Sequence, residues 1–439
     1  MKIALDAMGG DLAPKATIEG AVQAARDFGI EVILVGDMQV VERELADHGA
    51  AKLPITVEHA SEIVAMDDSP LESVISKPHS SIHVGLELVK QGRADAFVSA
   101  GNSGAMMAAA MAILGNLPGV DRPAIASTVP TSAGLALLID AGANTEVKPL
   151  NLVQFGVMGS VYWKHTAKVD SPRVALLSNG EEASKGTDLT RSAAAIMSAM
   201  VPHLTYTGYV EGRDINRAKA DVIVTDGFTG NVALKTMEGF AVFLLGNLRE
   251  VFDHGIFQRL AFLMVRKHLR AIRTRLDPAE YGGAPLLGVD GVAIIAHGSS
   301  GAVAIRNAIR AAANEALVHN VNAEIVQTLG KIAPASSAKP AADKGLRGLF
   351  LKMRDRLHLH REALHDRKPN NGVELHGESE VHANGVVSAA GPLRSASGSL
   401  RAGAGASGDS ETLYAPLNQG DTPDPSAVAG ASAEEKNPQ

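Results

Sequence analysis

The chain has no cysteine, which removes disulfide frameworks, thiolate metal sites and cysteine nucleophiles together. Aromatic residues make up only 4%, with Trp163 the sole tryptophan, so the stacking platforms that hold single-stranded nucleic acid are hard to assemble. A net charge of −7 over 439 residues supplies no global positive field. Nucleic acid is therefore not expected as a partner, and any anion site has to be local, built from backbone amides or a few cations. Long hydrophobic runs are also missing: stretches such as 240–245 and 261–265 fall far short of the roughly 20 residues that span a bilayer. The N-terminus enters a strand-like run at Ile3 with no signal-peptide h-region. These absences lead to the expectation of a cytoplasmic chain that does not cross a membrane.

What is present is 46% hydrophobic and 20% charged, enough to bury a large core. Short β-branched runs alternate with segments of helical period. Strands are expected at 3–7, 31–36, 55–58, 94–99, 125–129, 135–140, 173–177, 222–225 and 292–297. Helices are expected at 15–28, 39–48, 82–91, 103–114, 150–165, 187–200, 231–248 and 301–319. Such alternation predicts parallel βαβ units, hence an α/β fold. The pattern ends near residue 330. Beyond Lys331 the composition turns to Ala, Ser, Gly and Pro, and past Pro369 the only aromatic is Tyr414. A segment of that kind cannot bury enough apolar surface to offset its ordering entropy. The expected organisation is one catalytic domain over 1–330 and a largely disordered tail over 331–439. Within the tail, Leu346, Phe350, Met353 and Leu357 suggest an amphipathic helix over 345–367.

Several glycine-rich loops follow strands and precede helices, where ligands bind in open α/β sheets. The first is Asp6-Ala7-Met8-Gly9-Gly10-Asp11 and the second Ser99-Ala100-Gly101-Asn102-Ser103-Gly104-Ala105. Their glycines let backbone approach a ligand, and the following helix N-terminus offers unpaired amides. Each also reads as a tight turn with a helix cap. The third loop carries Glu181 and Glu182 with Lys185, the only cation in these strand ends; the fourth, Asp226 to Asn231, carries Thr229. Asp140 to Asn144 and His297-Gly298-Ser299-Ser300 complete the set. His297 reads either as a capping or packing residue or as a general acid. The histidines His358 and His360 have no acidic cluster beside them, so no metal site is expected.

Taken together, DAMGGDLAP at 6–14, SAGNSGA at 99–105, IDAGAN at 139–144, GEE and KG within 180–186, VEGRDI at 210–215, TDGFTGNVALK at 225–235 and HGSS at 297–300 closely resemble the bacterial phosphate acyltransferase family. The resemblance covers about residues 1–325 in order. It implies a Rossmann-like α/β fold with parallel sheets, of the type found in isocitrate and isopropylmalate dehydrogenases and in phosphotransacetylases. It implies conversion of an acyl carrier protein thioester and inorganic phosphate into acyl phosphate for phospholipid synthesis, with no cofactor. The product passes to an acyl phosphate:glycerol-3-phosphate acyltransferase. A cytoplasmic homodimer in peripheral contact with anionic membrane is implied as well. Where members often read Asn-Ile-Gly-Glu-Glu, this chain has Ser178-Asn179-Gly180-Glu181-Glu182.

Phosphate dianion is a usable nucleophile, so positioning and oxyanion stabilisation are the main tasks. Lys185 and Asn231 are expected to be catalytic. Phosphate would lie on Asn102, Ser103 and Gly104 beside Lys185, while Asn231 and Thr229 polarise the thioester carbonyl. Asp6, Gly9, Gly10, Asp11, Asn144, Glu181, Glu182 and His297 complete the expected binding set. The competing readings are an acyl-CoA phosphotransacetylase or a decarboxylating dehydrogenase on the same architecture, and a non-enzymatic membrane-peripheral scaffold.

Between residues 249 and 276, seven basic side chains face two acidic ones. Phe262, Val265, Leu269, Ile272 and Leu276 form a helical stripe, with Arg259, Arg266, Arg270 and Arg273 away from it. A helix of this design suits anionic lipid, an acidic carrier protein or a packed subunit interface.

Overall fold

A computed structural model describes residues 1–332 except 202, 254 and 319. The tail, with the helix expected at 345–367, lies outside the described residues. The strands are β1 (Lys2–Asp6), β2 (Glu31–Gly36), β3 (Ile55–His59), β4 (Ala96–Ser99), β5 (Ala124–Thr131), β6 (Gly134–Ile139), β7 (Arg173–Ser178), β8 (Thr205–Glu211), β9 (Val222–Val224), β10 (Ala284–Leu287) and β11 (Ala293–Ile295). The helices are α1 (Lys15–Phe28), α2 (Met38–Asp47), α3 (Pro70–Ser76), α4 (Ser81–Lys90), α5 (Ser103–Ile113), α6 (Pro149–Thr166), α7 (Asp188–Met200), α8 (Gly227–Asp253), α9 (Ile256–Leu276), α10 (Ala302–Leu317) and α11 (Val321–Gly330).

The strands form one sheet of eleven in the order β3-β2-β1-β4-β11-β10-β5-β6-β9-β7-β8. Five neighbours, β3 to β11, run parallel, and so do β6, β9, β7 and β8. Between these blocks β10 and β5 are antiparallel to both neighbours. The expected α/β class is therefore present, with a mixed rather than wholly parallel sheet. The two blocks point in opposite directions across this antiparallel joint.

Central strands of the first block are buried on both faces, which is why they read as continuous apolar runs. Successive residues alternate faces. Ile3 and Leu5 pack with Ile18 of α1 and Ile309 of α10, whereas Ala4 and Phe97 pack with Leu86 of α4 and Met106 of α5. In the second block Leu137, Leu176 and Val222 meet Phe155 and Met158 of α6. Its opposite face, through Leu138 and Ile223, meets Leu234 and Met237 of α8.

Four elements were not expected: α3, β8, β10 and α11. The helix expected at 231–248 begins at Gly227 and runs to Asp253, and the basic segment divides between its end and α9. Among the described residues no helix is long and apolar enough to cross a membrane.

Candidate active site

The loops after β1, β4 and β11 interlock. Asp6 is 1% exposed and accepts from the Ser99 hydroxyl at 2.8 Å and the Met8 amide at 3.1 Å. Burial pushes its carboxyl above the ordinary carboxylate range, opposed by hydrogen bonds from Ser81, Ser99, Met8 and Gly9. A Cβ on Gly9 would stand 2.4 Å from Asp6 Oδ2 and 2.8 Å from the Gly101 nitrogen, so only glycine allows these two loops to meet. The Asp11 amide donates to the Gly298 carbonyl at 2.8 Å. Asp6, Gly9 and Gly10 are thus joints between loops, while Asp11 lines a cavity.

Asn102 is engaged on every side. Its Oδ1 accepts from the Ala105 amide at 3.0 Å, capping α5, and its Nδ2 faces the carbonyls of Ala65, Met66 and Asp68 at 3.4, 3.1 and 3.0 Å. The side chain anticipated as a phosphate donor is therefore a clamp on the 65–68 loop. Ser103, the first residue of α5, is exposed and lines the cavity. Gly104 lies against Pro70 of α3, 2.7 Å from a Cβ built there.

Across the cavity, Asp140 is fully buried and accepts from the amides of Ile125, Gly142, Ala143 and Asn144 and from Asn144 Nδ2. Asn144 Nδ2 also reaches the Pro123 carbonyl at 2.7 Å. Asn144, 3% exposed, holds this turn together. The turn seats α8: Gly227 donates to the Asn144 carbonyl at 2.7 Å, and a Cβ on Gly230 would fall 1.9 Å from the Asp140 carbonyl oxygen. Asp226 caps the helix start, its carboxylate accepting from the Thr229 amide and hydroxyl at 2.9 and 2.7 Å. That arrangement carries Asn231 to the cavity, with its side chain against Gly142.

One turn further along α8 is Lys235, which the loop-by-loop reading passed over. Its ammonium lies 2.8 Å from Glu238 Oε2 and 2.5 Å from His297 Nε2. His297 Nδ1 is 2.7 Å from the Ser299 hydroxyl. The signal in the sequence was the spacing of four from Asn231, which puts both side chains on one helix face.

The cavity measures about 820 Å³ and lies over the antiparallel joint. Its lining includes polar Asp11, Ser103, Asn231, Lys235, His297 and Ser299 and apolar Val129, Leu234, Met237, Phe240, Leu244 and Leu276, with Phe240 and Leu244 more than two turns beyond Asn231 along α8. The N-termini of α5 and α10 open on the cavity through Ser103 and Gly301, and no side chain caps α10. Uncapped amides at a helix start favour an anion. Among the described residues no group of three or more His, Asp or Glu is placed to hold a metal.

Lys185, Glu181 and Glu182, on the loop after β7, are not among the residues lining this cavity. Glu181 pairs with Lys219, which also reaches Asp214 at 3.0 Å. The Lys185 stem covers Gly180. Asn179, at the departure from the family pattern, closes the loop by accepting from the Gly186 amide at 2.9 Å.

On α9, Phe262, Val265 and Ile272 are 41%, 38% and 45% exposed. Leu269 and Leu276 are half-buried, and Arg259, Arg266, Arg270 and Arg273 are exposed. The expected stripe is therefore largely uncovered in the single chain.

A family model described as "Fatty acid synthesis protein" matches residues 1–324. A phosphate acyltransferase of Geotalea daltonii is 50% identical over 329 residues, covering 75% of this chain and 94% of that protein. One from Geobacter sulfurreducens matches with the same identity and coverage. Among solved structures, a phosphotransacetylase from Streptococcus pyogenes aligns with a TM-score of 0.49 at 20% identity, covering 72% of this chain and 94% of that one.

Proposed function

The chain belongs to the phosphate acyltransferases of the fatty acid synthesis protein family, and from that premise we propose that it transfers a fatty acyl group from an acyl carrier protein thioester to inorganic phosphate. It is an acyltransferase. The observation that carries the specific reading is the mixed lining of the cavity along α8, polar at Asn231 and Lys235 and apolar further along at Phe240 and Leu244. An acyl phosphate has that same division between a charged head and a hydrocarbon chain.

In the proposed reaction a phosphate oxygen attacks the thioester carbonyl carbon. The tetrahedral oxyanion collapses, the carbon–sulfur bond breaks, and the proton carried by hydrogen phosphate ends on the departing sulfur. Ser103 and the uncapped α10 amides support phosphate, and Asn231 Nδ2 donates to the developing oxyanion. Lys185, on the loop after β7, enters as a further cation for the phosphate. The enzyme works in the cytoplasm as a homodimer resting on anionic membrane. It hands acyl phosphate to an acyl phosphate:glycerol-3-phosphate acyltransferase. Exposed Phe257 and Met264, 80% and 84% accessible on α9, support a covered face in the working assembly.

The test supplies the full chain with acyl carrier protein thioester and phosphate and traps acyl phosphate with hydroxylamine. Product should form, and Asn231→Ala should lower kcat by about 10² to 10³. Absence of product with this donor, but formation from coenzyme A thioester, would transfer the reading to a phosphotransacylase of the coenzyme.

A further inference from the structure

We propose that Lys235 is the cation that binds the phosphate substrate, and that Glu238 and His297 hold it in place. This rests on the reaction proposed above and adds the group that meets the nucleophile. Lys235 is the only lysine or arginine among the described residues that line the cavity. Lys185 lies outside that lining, and the Asn102 amide is committed to three carbonyls.

Lys235 is built in rather than loosely present. Gly230 docks α8 on the Asp140 turn, and Lys235 sits one turn beyond Asn231 on the same face. Its hydrogen bonds to Glu238 and His297 use two of three N–H donors, leaving one for a ligand. His297 is itself anchored: its Nδ1 lies 2.7 Å from the Ser299 hydroxyl and accepts from the Ser299 amide at 3.2 Å, so the ring presents Nε2 toward Lys235.

The chemistry suits a phosphate dianion. Lysine is a compact point charge, and charge-assisted hydrogen bonds to phosphate are strong. Asp11 and Glu238 line the same cavity, so a dianion can settle there only where a cation offsets them. The uncapped α10 start, which also lines the cavity, supplies amides. With phosphate held by Lys235 and the carbonyl by Asn231, nucleophile and electrophile are presented from successive turns of one helix. Glu238 and His297 are positioning residues in this arrangement.

The experiment varies phosphate at saturating acyl carrier protein thioester. It compares wild type with Lys235→Ala, Lys235→Arg, His297→Ala and His297→Gln. In parallel, binding of inorganic phosphate alone is followed by thermal stabilisation of each full-length protein. Lys235→Ala should raise the phosphate KM roughly tenfold to a hundredfold, with the thioester KM unchanged, and Lys235→Arg should recover part of it. His297→Ala should raise the phosphate KM with little change in kcat. His297→Gln, whose amide oxygen can stand where Nε2 does, should restore it. An unchanged phosphate KM in a folded Lys235→Ala protein overturns the proposal. If wild type forms no acyl phosphate, the reaction itself is wrong. Lys235 is then judged by phosphate stabilisation alone, where loss in Lys235→Ala supports it and equal stabilisation refutes it.

Discussion

His83 on α4 is 3% exposed, with Nδ1 3.0 Å from the Ser80 hydroxyl and Nε2 without a partner among the described residues. Burial holds its pKa down to about 4, against the opposing field of Glu62. The folded chain therefore keeps this ring neutral in a range where the unfolded chain protonates it. Because the folded value is lowered, the contribution is fully present above the ordinary value of 6.5 and is lost as pH falls toward 4. Between about pH 7 and about pH 5 the wild type should lose about 2 kcal/mol more than His83→Gln. Urea unfolding of both proteins at the two pH values checks this, and parallel pH slopes would refute it. Asn102 shows a different limit at the same scale. Its cap on α5 was legible from an asparagine before a helix. Its three bonds to the 65–68 loop were not, since that loop lies more than thirty residues away in sequence and bears no marker of the contact.

Helix α8 positions Asn231 and Lys235, and its placement depends on Gly230. A helical Gly→Ala change ordinarily stabilises by about 0.5 to 1 kcal/mol. At Gly230 the added carbon would fall 1.9 Å from the Asp140 carbonyl and 2.9 Å from Thr225 Cγ2. Backbone has to move, at a typical cost of about 1 to 3 kcal/mol, so the clash outweighs the propensity gain. Gly230→Ala should lower the melting temperature and reduce acyl phosphate formation at least tenfold, by analogy with other small displacements of reacting groups. Gly239→Ala on the same helix meets nothing within 4 Å and should stabilise the protein with activity retained. Melting curves and the hydroxylamine assay on the pair decide the matter; a harmless Gly230→Ala would show that α8 does not depend on this contact. Elements such as β1 and α8 were legible because their periodicity is long or their burial complete. The four-residue β10 contains Pro285, and β8 is an edge strand with mixed burial and Gly208 at φ 95°. Neither carries the apolar alternation on which the reading relied. Lys235 was missed for a related reason: glycine-rich loops draw attention to where a helix starts, whereas its position is set by the face the helix presents a turn later.

At the scale of the whole chain, alternating strands and helices predicted parallel pairing, but where two parallel blocks meet depends on β10, inserted late in sequence between β11 and β5. That joint floors the cavity, so the substrate site was visible in its loops and invisible as an enclosure. The second whole-chain feature is the helical pair α8–α9. Single exposed apolar side chains are normal, but Phe243, Phe257, Leu263 and Met264 are 65%, 80%, 56% and 84% exposed on these two helices. Phe257, Leu263 and Met264 share α9 with exposed Arg266, Arg270 and Arg273. Lipid contact and subunit contact both hide such surface, but only the first depends strongly on anionic headgroups, at about 1 kcal/mol per basic residue near the membrane. The full chain should sediment with phosphatidylglycerol vesicles at low salt. It should be released near 1 M salt, where screening contracts to about 3 Å. Replacing Arg266, Arg270 and Arg273 together by glutamate should abolish sedimentation while the oligomeric state in solution is kept. If the triple variant still sediments but shows a raised KM for acyl carrier protein thioester, these arginines recruit the donor. If it instead falls to monomers, the face belongs between subunits, and membrane contact has to be sought elsewhere.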